Sequence, residues 1–439
     1  MTNTDRGQWR SRMGFILAAA GGAVGLGNIW KFPYVAGMNG GSAFLLVYLV
    51  LILFLGLPVL IAEVMLGKAT QRNPVGAFKA LDHEKSPWRM IGFMGVLAAF
   101  MILSFYSVVA GWCIEFIIQG AKGAYSSSSS PEDVQKLFAA LTSSPSKQIL
   151  YHGIFISMTI AIVYAGVQSG LQRVCEVLMP LLIVILIALI VFAMKQEGWQ
   201  KGVRFLLEPD ASKLTPNTIL AAMGQCFFSL SLGMGAMLTY GSYLRKEDNV
   251  VSSSAWVAVM DTGIALLAGF VIFPIVFTFG VEPAAGPGLV FVSLPGAFQQ
   301  LPAGTIAGIG FFVLLLAAAV TSAISLLEVI AAYFVDEFKM DRRKVSIGFG
   351  FLCFLIGIGC AVSGNFFDIL DKTSSNYLLP IGALLISMFA GWVLKREIAQ
   401  SDFKDTKFAK LFGLWLSSVR FIAPVLVVLV FLNKLGVFK

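Results

Sequence analysis

The stretch Gly21-Gly22-Ala23-Val24-Gly25-Leu26-Gly27-Asn28 decides how this chain is read. It interrupts the first apolar run, near residues 13–35, with four glycines in seven residues. A glycine inside a helix costs roughly 0.5–1 kcal/mol against alanine. In lipid, backbone that leaves the helix is tolerated only against protein or a watery cavity. A glycine-broken membrane helix ending in an amide side chain therefore fits an ion or substrate site at mid-membrane. Gly21 and Gly25 also have the spacing of a helix-packing face. The stretch alone leaves both readings open.

The composition places the chain in a membrane. Hydrophobic residues make up 57% and charged residues 13% of its 439 residues, against about 25% charged in a soluble domain. Mean hydropathy is +0.83. Runs such as Phe32 to Ala62 and Pro283 to Leu327 carry no charge at all, and about 20 such residues span a bilayer. Eleven spans are predicted, near 13–35, 41–67, 90–118, 149–168, 174–194, 217–243, 254–279, 304–335, 345–362, 374–394 and 411–433. The first is too long and too glycine-rich for a cleaved signal peptide. Segments on the amino-terminal side hold twenty of the 32 Lys and Arg. That excess predicts a cytoplasmic N-terminus and an outer C-terminus. The net charge of +8 thus reads as topology and not as nucleic-acid binding. The membrane itself is read as the cell membrane.

No catalytic activity is expected of the chain. No P-loop and no HExxH motif is present. Cys113, Cys175, Cys226, Cys353 and Cys360 fall in or beside spans with no CxxC pair, and read as small apolar residues. A Ser-rich outer loop runs from Tyr125 to about Ser146. A Gly/Pro-rich one, Val281 to Pro302, reads equally as a lid or as a plain connector.

The sixth span repeats the opening oddity. Ser229-Leu230-Ser231-Leu232-Gly233-Met234-Gly235 puts small and polar residues in the middle of an apolar run. Spans one and six each open a block of five, and five is odd, so the second block lies inverted. Paired interrupted helices point to a secondary transporter's site. The chain is expected to be one transmembrane domain, 1–439: repeat one at about 11–195, repeat two at about 215–395, and an extra helix at about 408–434.

These residues carry a resemblance. GGAVGLGNIWKFPY at 21–34, NGGSAF at 39–44, GQCFFSLSLGMG at 224–235 and VTSAISLLE at 320–328 resemble, in order, motifs of the neurotransmitter:sodium symporter family. The resemblance implies an all-α membrane protein with the leucine-transporter type of fold: a 5+5 inverted repeat plus one helix, with spans 1 and 6 unwound. It implies a symporter that imports neutral hydrophobic or aromatic L-amino acids with two Na+ by alternating access. A monomer suffices, and higher oligomers are left open.

The site residues follow from the same resemblance. One sodium would take the Ala23 carbonyl, the Asn28 amide oxygen, Ser229, Asp261 and the substrate carboxylate. The other would take the carbonyls of Gly21, Val24 and Ala318 with the hydroxyls of Thr321 and Ser322. Back-bonding to the preceding turn is the plain alternative for those two hydroxyls. The substrate carboxylate would meet the amides around Gly25, Leu26 and Gly27 and the Tyr106 hydroxyl. Its ammonium would meet carbonyls near Phe228 and Ser231. Gly22, Ile102, Phe228, Met234, Ser325 and Leu326 would line the side-chain pocket. Lys31 and Asp371 occupy the outer ion-pair positions, where Arg is more usual than Lys. Arg6 and Asp336, with Trp9 and Tyr243, occupy the inner ones. Gly170 and Pro180 match a pattern that lets span five unwind. Tyr48, Gln225 and Ser229 match positions that hold chloride in animal relatives. Asp261 and Ala265 depart from that pattern.

Two carboxylates remain. By the same resemblance Glu63 would support the unwound part of span six, and Glu328 would lie near the inner pathway. Either is alternatively a proton carrier, which leaves a proton-coupled carrier as one rival reading. A transporter-like sensor without net flux is the other.

Overall fold

A computed structural model describes residues 7–125, 131–280, 288–404 and 406–434. Arg6 and residues 281–287 of the second outer loop lie outside the described residues. Helices and their connections are the only elements among those described.

Among the described residues, nine continuous helices are long and apolar enough to cross a membrane: Ser42–Thr70, Arg89–Ala121, Pro145–Tyr164, Val167–Ala193, Val250–Thr278, Gly304–Phe338, Arg342–Val362, Gly364–Val393 and Ala409–Leu429. The first span is a bent pair, Arg12–Ala23 and Gly27–Met38, with 52° between them. That makes ten. The predicted sixth span comes as Pro216–Ser229 and Ala236–Gly241, joined by residues 230–235. Neither half is long enough to cross alone, so the eleventh crossing exists only as two pieces.

Local chemistry explains both breaks. In the first span the last regular bond runs from Val24 N to Ala20 O, after which Val24 turns extended (φ −70°, ψ 109°). In the sixth, Ser231, Gly233 and Gly235 all have positive φ, at 53°, 83° and 75°. That conformation is open to glycine and costly for most other residues. Gly233 is required for a second reason: a Cβ there would collide with the Leu379 carbonyl of the tenth span. Glu63, which the resemblance implies supports this stretch, accepts the loose Gly233 N–H at 2.7 Å.

Burial sorts the spans. The eighth is 78% buried and the third 72%, against 28% for the fifth and 33% for the fourth and eleventh. The third and eighth therefore form the centre of the molecule. The others show apolar side chains such as Val177 and Val184 outward, as lipid-facing helices do. All five cysteines are buried and free. Pro131–Thr142 and Leu289–Gln299 are helical parts of the two outer loops, and the amphipathic helix Trp199–Leu207, which follows the fifth span, packs against the seventh, with Trp199 on Phe270 and Phe205 on Phe273. None of these three was expected from the sequence.

Candidate functional site

The two breaks share a cavity of about 30 Å³ near the centre of the molecule. Its walls are Gly22, Ala23, Gly25, Leu26 and Gly27 of the first span, Ile102 and Tyr106 of the third, Phe228, Ser231 and Met234 of the sixth, and Ser322, Ser325 and Leu326 of the eighth. Every expected substrate-site residue except Ser229 lines it. Ser322, expected only as an ion ligand, lines it too. Glycine keeps the space open, because a Cβ on Gly25 would run into the Ser322 hydroxyl and come within 2.8 Å of the Tyr106 oxygen. The Tyr106 hydroxyl accepts the Leu26 N–H at 3.2 Å. Its own proton therefore remains available to a carboxylate. Ser231 Oγ donates to the Gly22 carbonyl at 3.1 Å and so ties the two breaks together.

Five oxygens gather on one side. Thr321 Oγ1 lies 2.9 Å from the Ala318 carbonyl and 3.5 Å from that of Val24. Ser322 Oγ lies 3.1 Å from the Val24 carbonyl and 3.5 Å from that of Gly21. Thr321 does back-bond to Ala318, as the plain alternative holds. Ser322 instead reaches across to the first span. Oxygen-only donors of this kind suit a hard cation.

A second cluster surrounds Asp261, whose neighbours Asn28 and Ser229 are, like it, fully buried. Ser229 Oγ donates to Asp261 Oδ2 at 2.7 Å. Asn28 Nδ2 donates to Asp261 Oδ1 at 2.7 Å. This differs from the expected geometry, in which the Asn28 oxygen faces the ion. Here that oxygen accepts from Gly25 N–H at 3.2 Å. The carboxylate attracts the amide's donor end, and a half-turn of the amide exchanges its nitrogen and oxygen. No Lys or Arg pairs with Asp261 among the described residues. A carboxylate so buried calls for a compensating charge.

The gates depart further from expectation. Lys31 and Asp371 do not form the expected ion pair. Lys31 Nζ lies over the Phe228 ring, 3.8 Å from its centroid, where the ring face offers the ammonium an electron-rich surface. Asp371 accepts from Ser375 at 2.8 Å. On the amino-terminal face, Trp9 N bonds the Tyr243 carbonyl and Trp9 Nε1 bonds that of Tyr240. Asp336 Oδ2 accepts two bonds from Asn73, at 2.9 and 3.2 Å. The expected Arg6–Asp336 pair involves a residue outside those described.

Glu328 has a partner that its sequence context does not reveal. Glu328, fully buried, receives both ends of the Arg342 guanidinium at 2.6 and 2.9 Å, and the Tyr243 hydroxyl at 2.5 Å. Arg342 opens the ninth span, where a basic residue reads as topology alone. Removing one member of a buried pair strands the other, at about 3–5 kcal/mol. Arg342→Gln is therefore expected to lower the thermal unfolding midpoint in detergent markedly, and Arg342→Lys to restore part of it. An unchanged midpoint would mean that the pair carries no stability.

Comparison with known proteins gives a consistent result. The sequence model of the sodium:neurotransmitter symporter family matches residues 6–130 and 143–439. The chain is 42% identical to YhdH of Bacillus subtilis, named an uncharacterized sodium-dependent transporter, over 98% of each. It is 25% identical to the human sodium- and chloride-dependent GABA transporter 2, over 91% of this chain and 75% of that one. The crystal structure of MhsT in complex with L-phenylalanine aligns with a TM-score of 0.89 at 43% identity, covering 97% of this chain and 99% of that one.

Proposed function

From the chain's membership of the sodium:neurotransmitter symporter family, which makes it a multi-pass membrane transporter and not an enzyme, we propose that it imports neutral hydrophobic or aromatic L-amino acids together with two sodium ions. The observation that carries this reading is the shared cavity of two broken helices, lined by Ser322 of the five-oxygen cluster, with the buried Asp261 held by Ser229 and Asn28 at the same two breaks. The substrate carboxylate would sit at the break in the first span, near Tyr106, and complete the coordination around Asp261. The N-terminus would be cytoplasmic and the C-terminus outside, in the cell membrane, and one subunit suffices for transport. The L-phenylalanine complex of MhsT supports the substrate class.

The energetics allow concentrative uptake. Each sodium charge gains about 2.3 kcal/mol per 100 mV, and each tenfold gradient adds about 1.4 kcal/mol per ion. Two ions then supply about 7 kcal/mol, enough for an uphill ratio on the order of 10⁵. Binding and transport need no covalent step.

The cavity also suggests a preference. Gly22 contributes no side chain, and Met234 is an unbranched, adaptable wall. No lining residue carries a charge, so charged substrates would be buried unpaired. The cavity holds only about two waters at its present size, so a phenyl side chain enters only as Phe228 and Met234 shift outward. Binding of labelled leucine to purified protein, with and without sodium and against all twenty amino acids, tests the reading. Trp, Tyr, Phe, Leu, Ile and Met are expected to compete, with sodium required. Competition by Gly or Ala alone would refute it. Met234→Phe is expected to move the preference toward small aliphatic side chains by about 10–200-fold, the scale of hydrophobic pocket discrimination.

A further inference from the structure

A second concavity lies away from the substrate site, on the membrane-facing side. It is a groove of about 470 Å³ between the fourth, fifth and eighth spans. Met158 and Ile162 form one wall, Val177 and Leu181 the second, and Val313 and Leu316 the third. Only two of its lining residues are polar, Ser169 and Arg173, and both belong to the start of the fifth span. No carboxylate lines it.

The end that holds Arg173 lies on the face of the amino-terminal segment. The neighbouring Gln172 Oε1 accepts the Arg10 N–H at 2.9 Å, and Gln168 Nε2 donates to the Gln8 carbonyl at 2.6 Å. Arg173 makes no ion pair among the described residues. The nearest carboxylate in sequence, Glu176, is engaged by Gln172 Nε2 at 2.6 Å instead. An exposed guanidinium thus stands beside a hydroxyl at the mouth of an apolar channel that opens to lipid. A guanidinium binds phosphate oxygens in bidentate fashion, and basic pockets between membrane helices hold anionic headgroups.

The geometry points to a binding site for one anionic phospholipid, its phosphodiester on Arg173 and Ser169 and one acyl chain along the groove. The place matters, because the groove touches the eighth span and the stretch of the fifth between Gly170 and Pro180. Ala317 and Val320 on its floor adjoin Ala318 and Thr321 of the five-oxygen cluster. Val177 and Leu178 lie between Gly170 and Pro180, on the least buried of the spans. A chain held there braces the fifth span against the eighth.

Native mass spectrometry of the full-length protein in detergent, with phosphatidylglycerol and phosphatidylcholine of identical acyl chains, tests the site without a transport assay. Wild type is expected to retain one phosphatidylglycerol in preference to phosphatidylcholine. Arg173→Gln should reduce that preference about fivefold, the effect of one basic residue near a membrane surface. Arg343→Gln is the control for diffuse charge, since Arg343 stacks on Tyr164 outside the groove, and should leave the preference intact. Val177→Trp fills the groove from an exposed position and should lower retention of both lipids. An unaltered preference in Arg173→Gln, an equal loss in Arg343→Gln, or full retention in Val177→Trp would each overturn the assignment.

Discussion

Vesicles carrying the Thr321→Val, Ser322→Ala double variant are expected to show no sodium-driven amino-acid uptake. The two hydroxyls supply two of the five oxygens that converge beside the first break. A hydrogen-bond-strength contact to a charge contributes about 1.5–3 kcal/mol. Losing two lowers ion affinity on the order of 10²–10⁴-fold. The replacements are apolar and of similar size, so insertion into the membrane should be normal. Uptake is measured with an imposed sodium gradient, and protein content by quantitative blot. Wild-type uptake at wild-type abundance would take these side chains out of the mechanism.

The second large effect is expected at Asp261. Uptake by the wild type should be unchanged when chloride is replaced by gluconate, because Asp261 already supplies a negative charge beside Ser229 and Asn28. A chloride ion close to that carboxylate would be repelled strongly at low dielectric. The human relative, by its name, depends on both sodium and chloride. Asp261→Asn removes an attraction of about 4 kcal/mol at 4 Å and an effective dielectric near 20. Half-saturation by sodium should then rise by as much as 10³-fold. Adding Ala265→Ser, one helical turn on, should let chloride restore part of the loss. Wild-type uptake that collapses in gluconate would show that the counter-charge lies elsewhere.

What was legible in the sequence was mostly local. Glycine and serine in the middle of apolar runs marked both breaks, and the helices end at Ala23 and Ser229. Backbone propensity acts at the residue that carries it, so a single sequence exposes it. The cavity-lining residues of the first and sixth spans lie within a turn or two of the breaks, whereas Ile102, Tyr106, Ser325 and Leu326 on the third and eighth spans were nameable only through the family resemblance. Partners across the fold were not. Arg342 meets Glu328, Asn73 meets Asp336, and Lys31 lies on Phe228. Each pairing depends on how whole spans pack, and a basic residue at a span end looks the same whether it faces water or a buried carboxylate. The Asn28 amide shows the same limit at atomic scale, because residue identity says nothing of which end of an amide turns toward a carboxylate.

One buried thiol carries a further consequence. Cys175 sits on the fifth span, fully enclosed, and a Cβ on Gly21 would come within 3.4 Å of its sulfur. The inner half of the first span thus acts as its cover. Enclosed thiols are slow to alkylate, and only a parting of those two helices admits a reagent. The four other cysteines are buried as well, so the background is low. The untouched chain therefore carries its own stopwatch: the pace of maleimide modification at Cys175 reports how often the amino-terminal face opens, and an ion that clasps the first span to the eighth slows the count.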